Sequence, residues 1–490
     1  MQDITRLTAA ELSRSIHACS ISCVAVMEAY LDRIDRLNPS LNAIISLRDR
    51  GTILDDARTC DRELADGHSR GWMHGFPIAI KDLSEAKGLP CTWGSKLFEN
   101  FMGQTDDIHV ERIRAAGAII IGKTNTPEMG LGSHTTNSVF GATRNPFDNS
   151  RSAGGSSGGA AVAVAARLLP VADGSDMMGS LRNPAAFNNI VGFRPSFGRV
   201  PSGKSNEIFL RQLGAAGPMA RNVQDAALLL ATQAGYDMRD PQSLADEALD
   251  LLPKAGHAGT KIAWFGDFGG YLPFEQGVLE VDRKALDVFA AMGCEVDEIV
   301  PEFDMDALWK SWIALRTFNV ANGLRPLYDI PEKRNLINVQ AIWEIERGLS
   351  QTAGEIFEAS VIRSDWYKFV CRLFERYDYL VMPSAQVFPF DVTKKWPDEI
   401  AGRKMDTYHR WMEVVIGPSM AGLPVAAMPA GFGSNGLPNG IQIVGKPRGD
   451  RELLQFSLAY EHAAGIPLAA VAAVAAEKLF ELDHVESLSR

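Results

Sequence analysis

The sequence is poor in cysteine and in long apolar runs, and each shortage argues against a class of protein. Six cysteines are spread over 490 residues without a Cys-x-x-Cys pair, which is typical of free thiols in a reducing compartment. The longest apolar runs, residues 160–166 and 466–476, fall short of the roughly 20 residues that span a bilayer. Residues 1–15 contain Asp3 and Glu11 and no apolar core, so we expect no signal peptide. These shortages predict a cytoplasmic protein with no membrane partner.

Basic charge and metal-ligand motifs are also scarce. The chain has 60 acidic and 49 basic residues, for a formal net charge of −11. Nucleic acids and anionic membranes are bound by basic surfaces, so the balance argues against non-specific binding of either. The nine histidines are scattered, with no His-Glu-x-x-His pattern and no Cys/His cluster. The sequence therefore predicts no metal site and no nucleic-acid partner.

Apolar periodicity indicates an α/β protein. Helical spacing runs through residues 7–37 and 108–116, and a capping box is expected where Thr8 precedes Glu11 by three positions. Helix-then-strand order is typical of α/β folds, and short apolar runs predict strands at residues 76–80, 118–121, 261–264, 379–382 and 441–444.

Residues 303–411 hold six of the nine tryptophans. We expect this stretch to be a helical, aromatic-rich subregion that covers an active site. Aromatic side chains at helical spacing also serve as ordinary core, so contact between these tryptophans and substrate stays open.

Two motif matches are rejected because the residues around them predict the wrong secondary structure for the motif. Residues 117–124 fit the phosphate-loop pattern, but the four residues between its glycines are Ala-Ile-Ile-Ile, which predicts a strand rather than an anion-binding loop. Residues 154–158 fit the Gly-x-Ser-x-Gly nucleophile elbow, which requires an apolar strand immediately before it. Residues 145–152 are polar and turn-like, so neither a nucleotide-binding site nor an α/β-hydrolase elbow is expected.

The density of serine and glycine around that second match is the strongest anomaly. Eight of the ten residues 150–159 are Ser or Gly, and an Ala/Val helix follows directly. A flexible linker would not lead straight into a buried helix, whereas such a loop lets the backbone approach a ligand closely. Residues 173–184 form a second unusual patch, which we interpret as one tight loop whose N–H groups lie beside Ser180.

These segments resemble the amidase signature family of serine amidohydrolases. The spacing of 24 residues between Ser156 and Ser180 equals the family spacing. The matching stretches occur in the family's order over most of the chain: residues 75–82, 122–128, 154–159, 174–184, 191–195, 198–201, 422–425 and 440–445.

The resemblance implies a Ser-cisSer-Lys triad. Carried over by motif, Ser180 is the nucleophile, Ser156 is the bridging serine after a cis peptide at residues 155–156, and Lys81 is the base. A serine hydroxyl needs a base to take its proton, and a lysine can act as that base only when burial has lowered its pKa from roughly 10.4.

The resemblance also assigns supporting roles. The family commonly has two glycines before the nucleophile, whereas this chain has Met178-Gly179, which predicts a reshaped pocket rather than lost activity. Asp176 and Arg182 are expected to hold the loop by charge-assisted hydrogen bonds. The further assignments are the backbone N–H groups of Met177, Met178 and Gly179 for the oxyanion hole, Ser175 for support of the triad, and Met129, Gly130 and Leu131 for the substrate pocket.

The implied fold is a large mixed β-sheet sandwiched between α-helices, in a single catalytic domain over residues 1–490 without metal or organic cofactor. The implied reaction is hydrolysis of a small-molecule amide through an acyl-enzyme. Methionines before the nucleophile and the tryptophan-rich region favour apolar or aryl amides. A glutamine-hydrolysing subunit of a tRNA-dependent amidotransferase, a carbamate or ester hydrolase, and a catalytically silent binding protein stay open, as does a homodimer.

Overall fold

The computed structural model describes residues 3–203, 207–249 and 256–465. Short 3-10 helices occupy Ile4–Arg6, Lys96–Phe98, Glu128–Gly130 and Arg410–Val415. The α-helices are α1 Ala9–His17, α2 Cys23–Leu41, α3 Arg50–Ala65, α4 Ile108–Ala115, α5 Gly158–Ala165, α6 Arg182–Phe187, α7 Val223–Gln233, α8 Val278–Ala291, α9 Met305–Tyr328, α10 Pro331–Arg334, α11 Val339–Leu349, α12 Ala353–Leu373, α13 Ile416–Met420 and α14 Asp450–Ala464.

The strands form one large sheet and three small ones. They are β1 Ile44–Ile45, β2 Pro77–Lys81, β3 Ile119–Thr124, β4 Thr136–Asn137, β5 Gly141–Ala142, β6 Val171–Asp176, β7 Val191–Arg194, β8 Ala215–Ala220, β9 Lys261–Trp264, β10 Glu295–Glu298, β11 Tyr379–Pro383, β12 Glu399–Ile400, β13 Arg403–Lys404, β14 Val425–Phe432 and β15 Pro438–Val444.

The large sheet has eight strands in the order β10-β9-β11-β15-β14-β7-β8-β6. Its β10-β9 and β9-β11 pairs are parallel, whereas the β11-β15 pair and the remaining pairs are antiparallel. Helices α7, α8 and α14 pack on these strands. The prediction of a large mixed sheet between helices is confirmed.

The strand that ends at Lys81 belongs to a different sheet from the one that leads to Ser180. β2 pairs in parallel with β3, and β1 closes this three-stranded sheet on the other side of β3. Every residue of β2 is buried. The apolar run Pro-Ile-Ala-Ile predicts burial of the first four residues, and the final lysine is buried as well. β2 packs beside β6 of the large sheet. Lys81 therefore lies where two sheets meet.

The interpretation of residues 173–184 as one tight loop is wrong. Residues 173–176 complete strand β6, which pairs with β8 over its whole length, and helix α6 begins at Arg182. Only residues 177–181 are loop. The small residues Gly174 and Ser175 suggested a turn, but pairing with Gly217 and Ala216 of β8 accommodates them in a strand.

The aromatic-rich stretch 303–411 is helical as far as α12, and strands β11 to β13 follow. Its six tryptophans belong to or pack against the hydrophobic core, and none of them lines the active-site cavity described below. Of the two alternatives left open for these tryptophans, the structure favours ordinary core. Aromatic side chains bury large apolar areas and dominate core energetics, which accounts for their position. Helix α9 nevertheless forms one wall of the cavity, through residues between Arg316 and Pro326.

Helix starts follow the sequence closely. The Thr8 hydroxyl accepts the N–H of Glu11, whose carboxylate accepts the N–H of Thr8, so the capping box predicted for α1 is present. Helix α12 begins with the same reciprocal pair at Thr352 and Glu355.

No helix in the described ranges is long and apolar enough to cross a membrane. The predicted single domain over 1–490 and the apolar run 466–476 extend into residues 466–490, which lie outside the described part.

Asp282 on α8 is a buried carboxyl group without a hydrogen-bond partner among the described residues, and burial raises its pKa well above the ordinary value. The folded state therefore binds this proton more tightly than the unfolded chain, so stability falls as the pH rises through the raised pKa. We expect Asp282→Asn to increase the free energy of unfolding at neutral pH by about 1–3 kcal/mol. Urea unfolding at several pH values measures this, with a smaller gain at acidic pH. Equal stability of both proteins at neutral pH contradicts the account.

Candidate active site

A cavity of about 920 Å³ opens between the large sheet, the β2 sheet and helix α9. Its wall includes Ser156 and Ser180, which are 24 residues apart in sequence and are both buried. Five of the residues that sequence analysis assigned to the oxyanion hole and the substrate pocket also line the cavity: Met129, Gly130, Leu131, Met177 and Met178. Gly179 does not line it. Ser175 lies in the same wall.

The Lys81 side chain is fully buried beneath this wall and is surrounded by oxygen atoms. Its Nζ lies 2.8 Å from Ser156 Oγ, 2.7 Å from Ser157 Oγ and 3.1 Å from Ser175 Oγ. A fourth contact of 3.3 Å goes to the Ser175 carbonyl oxygen. The structure thus brings together three of the residues that sequence analysis selected, Lys81, Ser156 and Ser175.

The electrostatic surroundings of Lys81 favour its neutral form. Burial lowers the pKa of the Lys81 ammonium to about 7, against the opposing attraction of the Asp173 and Asp176 carboxylates. Asp173 contacts the backbone of this residue, because the Lys81 N–H donates to Asp173 Oδ1 at 2.9 Å. A substantial fraction of this lysine is therefore unprotonated at neutral pH, as a general base requires.

Ser156 follows a cis peptide bond at Gly155–Ser156, as the resemblance implied. The whole stretch from Ser152 to Ala165, with helix α5 at its end, is buried, which excludes a flexible linker. Ser133 Oγ donates to the Gly155 carbonyl oxygen at 2.6 Å and fixes the residue before Ser156. Within the described ranges, Ser156 Oγ and Ser180 Oγ are not joined by a hydrogen bond. Such contacts are often long in unliganded enzymes and shorten when substrate binds.

The loop that carries Ser180 is shaped by the Asp176 carboxylate at the end of β6. Arg182 donates from Nε and Nη2 to its two oxygens at 3.0 and 2.9 Å, and Arg194 approaches at 3.3 Å. Burial alone would raise the pKa of Asp176, but the two guanidinium groups hold it well below the usual range. The predicted structural role of Asp176 and Arg182 is confirmed by these contacts.

Asp176 also takes one of the N–H groups assigned to the oxyanion hole. The Gly179 N–H donates to Asp176 Oδ1 at 2.9 Å, and the Leu181 N–H donates to Oδ2 at 3.0 Å. The Gly179 N–H is therefore already bound by a carboxylate in this structure, and the assignment of Gly179 to the oxyanion hole stays a prediction. In the described part of the chain, no hydrogen bond is made by the backbone N–H groups of Met177, Met178 and Ser180.

The requirement for glycine differs between positions 178 and 179. Gly179 has φ of 79°, and a Cβ there would lie 2.1 Å from Asn183 Oδ1, so a side chain is excluded. Met178 is not among the residues with positive φ, and its side chain is buried in the core beside the cavity. A methionine therefore fits at 178 without a left-handed backbone conformation, and the reshaped pocket stays a prediction.

Residues 128–131 bring the opposite wall close to Ser156. A Cβ on Gly130 would lie 3.7 Å from Ser156 Oγ, which shows how closely this backbone approaches the serine. Met129 and Leu131 pack with Leu324 against a small apolar cluster around Ile345. This wall therefore offers apolar surface next to the serine hydroxyl.

Three residues of the site were missed by sequence analysis. Ser157 stands beside Ser156, and its position next to a selected serine was the available signal. Asp173 lies on β6 two residues before Ser175, and its Oδ2 is 3.5 Å from Nε2 of His109, which lines the cavity. Arg316, on α9, lies 136 or more positions from the serines, and no local pattern distinguishes it from other helix arginines.

One group in the described residues has the spacing of metal ligands: Cys60, Glu63 and His74. Both imidazole nitrogens of His74 already have partners, the Cys60 carbonyl oxygen and the Arg70 N–H. Glu63 forms a two-point ion pair with Arg70. The group is not part of the cavity wall, and its present bonds would have to break before it could coordinate an ion.

Known proteins resemble this chain over nearly its whole length. The family model for Amidase matches residues 25–454. An acylamidase of Rhodococcus erythropolis is 32% identical over 473 residues, which cover 94% of this chain and 96% of that protein. A glutamyl-tRNA(Gln) amidotransferase subunit from Coxiella burnetii is 34% identical over 478 residues, with coverage of 93% and 96%.

A solved structure extends the likeness to three dimensions. The crystal structure of a bacterial aryl acylamidase superposes with a TM-score of 0.88 at 28% identity and covers 95% of this chain and 98% of its own. That protein is described as an amidase signature enzyme. The chain therefore belongs to the amidase signature family, and it is a hydrolase that acts on amide bonds.

Proposed function

We propose that this protein is a serine amidohydrolase in which Ser180 is the nucleophile, Ser156 the proton carrier and Lys81 the base. The observation that carries the proposal is the position of Lys81 Nζ, buried without an ion-pair partner in the described residues and 2.8 Å from Ser156 Oγ. A lysine that only stabilised the fold would be paired with a carboxylate or reach solvent.

The reaction proceeds by acyl transfer. Ser180 Oγ attacks the amide carbonyl carbon while its proton passes to Ser156, whose own proton passes to neutral Lys81. The C–N bond then breaks, and the proton returns through Ser156 to the leaving amine. Water attacks the acyl-enzyme in the same way, releases the carboxylic acid and restores Ser180. No metal or organic cofactor takes part in any step.

The developing oxyanion is bound by backbone N–H groups of the 177–181 loop. Met177, Met178 and Ser180 supply the donors, because the Gly179 N–H is held by Asp176. Ser175 and Ser157 position Lys81 through their hydroxyl groups. Met129, Gly130 and Leu131 contact the substrate beside Ser156.

The substrate is an apolar or aryl amide. Trp93, Phe318, Leu324, Met177 and Met178 give the cavity wall an apolar character, and both an acylamidase and an aryl acylamidase are among the relatives. The same machinery accepts carbamates and esters, since their carbonyl groups react by the same route. Six free cysteines support a cytoplasmic location.

A glutamine-hydrolysing subunit of a tRNA-dependent amidotransferase is the second candidate, favoured by the 34% identity to such a protein. Glutamine carries a carboxylate that needs an unpaired cation. Asp176 is neutralised by Arg182 and Arg194. The remaining charged side chains of the cavity wall are four carboxylates against two arginines, which disfavours this candidate: Glu85, Asp107, Glu207 and Asp240 against Arg211 and Arg316.

Kinetics on primary amides, anilides, carbamates, esters and glutamine test the proposed function. We expect the highest kcat/KM on apolar or aryl amides by the isolated chain. Glutamine hydrolysis that appears only with a co-purifying partner would favour the amidotransferase. Faster turnover of carbamates or esters than of every amide would contradict the amide assignment.

Asp173→Asn tests the electrostatic tuning of the base. The amide oxygen can still accept the Lys81 N–H, but the negative charge that holds a proton on Lys81 is lost. We therefore expect the acidic limb of the kcat/KM profile to move to lower pH, which a pH series with one amide measures. Asp240→Asn, which removes a carboxylate of the cavity wall, is the control and should not move this limb. A limb that moves to higher pH in Asp173→Asn would contradict this assignment.

A further inference from the structure

Arg316 presents a fixed guanidinium group in the wall of the cavity. Its side chain is only 3% exposed. Nε donates to Glu344 Oε1 at 2.6 Å and Nη2 donates to the Tyr408 hydroxyl at 2.8 Å, while that hydroxyl donates to the same Glu344 oxygen at 2.6 Å. This closed triangle leaves the guanidinium plane little freedom.

The third nitrogen, Nη1, has only a weak partner. It lies 3.6 Å from Met177 Sδ, and a thioether is a poor acceptor for a charged N–H. A buried guanidinium N–H without a strong acceptor is costly, so a substrate oxygen that replaces the sulfur gains a charge-assisted hydrogen bond. Met177 carries one of the proposed oxyanion donors. The underused N–H therefore lies one side chain away from the reacting carbonyl.

The charge balance determines which acceptor fits. The Glu344 carboxylate neutralises Arg316, and Tyr408 keeps its proton because burial raises the pKa of its hydroxyl well above the ordinary value. The acidic excess in the wall described above repels a carboxylate. A neutral oxygen, in contrast, needs no unpaired cation and still uses Nη1.

We propose that Arg316 is a substrate-binding residue, which donates from Nη1 to a second, neutral carbonyl oxygen on the amide substrate. The substrate class is thus an apolar amide with one additional carbonyl group, such as a diamide or a keto-amide. The inference rests on the proposed function, because the second carbonyl is defined relative to the bond that Ser180 attacks.

The test uses pairs of amides that differ only by a carbonyl in place of a methylene, placed in turn at each position along the acyl and amine chains. For the position that reaches Arg316, we expect wild-type kcat/KM to be roughly 10- to 100-fold higher on the carbonyl member. In Arg316→Lys, which keeps a cation beside Glu344, this ratio should fall to within about threefold. Arg211→Lys, at an exposed arginine of the same wall, is the matched control and should keep the wild-type ratio.

Two results overturn the proposal. One is an equal loss on both members of the pair in Arg316→Lys, which indicates support of the fold. The other is a wild-type enzyme whose kcat/KM is the same on both members of every pair, a result that does not depend on the folding of any variant. If wild-type enzyme hydrolyses amides without discrimination, only this inference fails; if it hydrolyses none of them, the proposed function fails.

Discussion

Ser180→Ala is expected to lower kcat on an amide substrate by roughly 10⁴-fold or more, to the rate that substrate binding and the remaining N–H donors support. The reason is covalent: alanine cannot form the acyl-enzyme. Because Ser180 is buried and its Oγ has no hydrogen-bond partner in the described residues, we expect the free energy of unfolding to change little. Stopped assays with product quantification measure the residual rate.

Ser202→Ala is the matched control, since Ser202 lines the same cavity but makes no contact with Lys81. Its activity should stay within about threefold of wild type, as expected for a surface substitution away from the reacting atoms. A wild-type turnover rate in Ser180→Ala would contradict the assignment of Ser180 as the nucleophile, whatever the activity of the control variant.

Lys81→Met is expected to lower kcat/KM by roughly 10²- to 10⁴-fold, the usual contribution of a positioned acid–base group. Methionine keeps the volume of the buried chain but removes the nitrogen that contacts three serine hydroxyls. The kcat/KM of the wild-type enzyme should fall on the acidic side of its pH profile as Lys81 becomes protonated, because burial lowers the pKa of Lys81 to about 7. The variant should lack that acidic limb.

Lys87→Met, at an exposed lysine six positions on, is the control for the substitution itself and should keep the wild-type rate and pH profile. Rates of Lys81→Met and wild type that match across the pH range would contradict the role of Lys81. A folded variant with low activity and an unchanged acidic limb would assign the limb to another group.

How far the sequence predicted the site depended on the range of the interactions. Lys81 ends a continuous apolar strand, and Ser156 lies in a dense Ser/Gly segment, so local pattern and family resemblance together selected both residues. The hydrogen bond from the Gly179 N–H to Asp176 was not predicted, although Asp176 is only three positions away. A motif indicates which N–H groups are near the nucleophile, but not which of them a neighbouring carboxylate already binds.

The long-range part of the site had no signal in the sequence. The triangle of Arg316, Glu344 and Tyr408 joins three elements that are distant in the chain, and its contact with Met177 spans 139 positions. The tryptophans of residues 303–411 show the opposite case. Their clustering left a ligand pocket open as an alternative to ordinary core. Trp309 and Trp312 on α9 and Trp366 on α12 are buried in the core, where large apolar side chains gain most from burial.

The most direct test of the central claim is covalent labelling of the wild-type enzyme with a fluorophosphonate, followed by peptide mapping. The account predicts close to one adduct per chain, on the peptide that contains Ser180, with loss of activity in parallel. Ser180→Ala should acquire no adduct there, and Lys81→Met should label much more slowly. An inactivated enzyme whose adduct lies on another residue would contradict the assignment of Ser180 as the nucleophile.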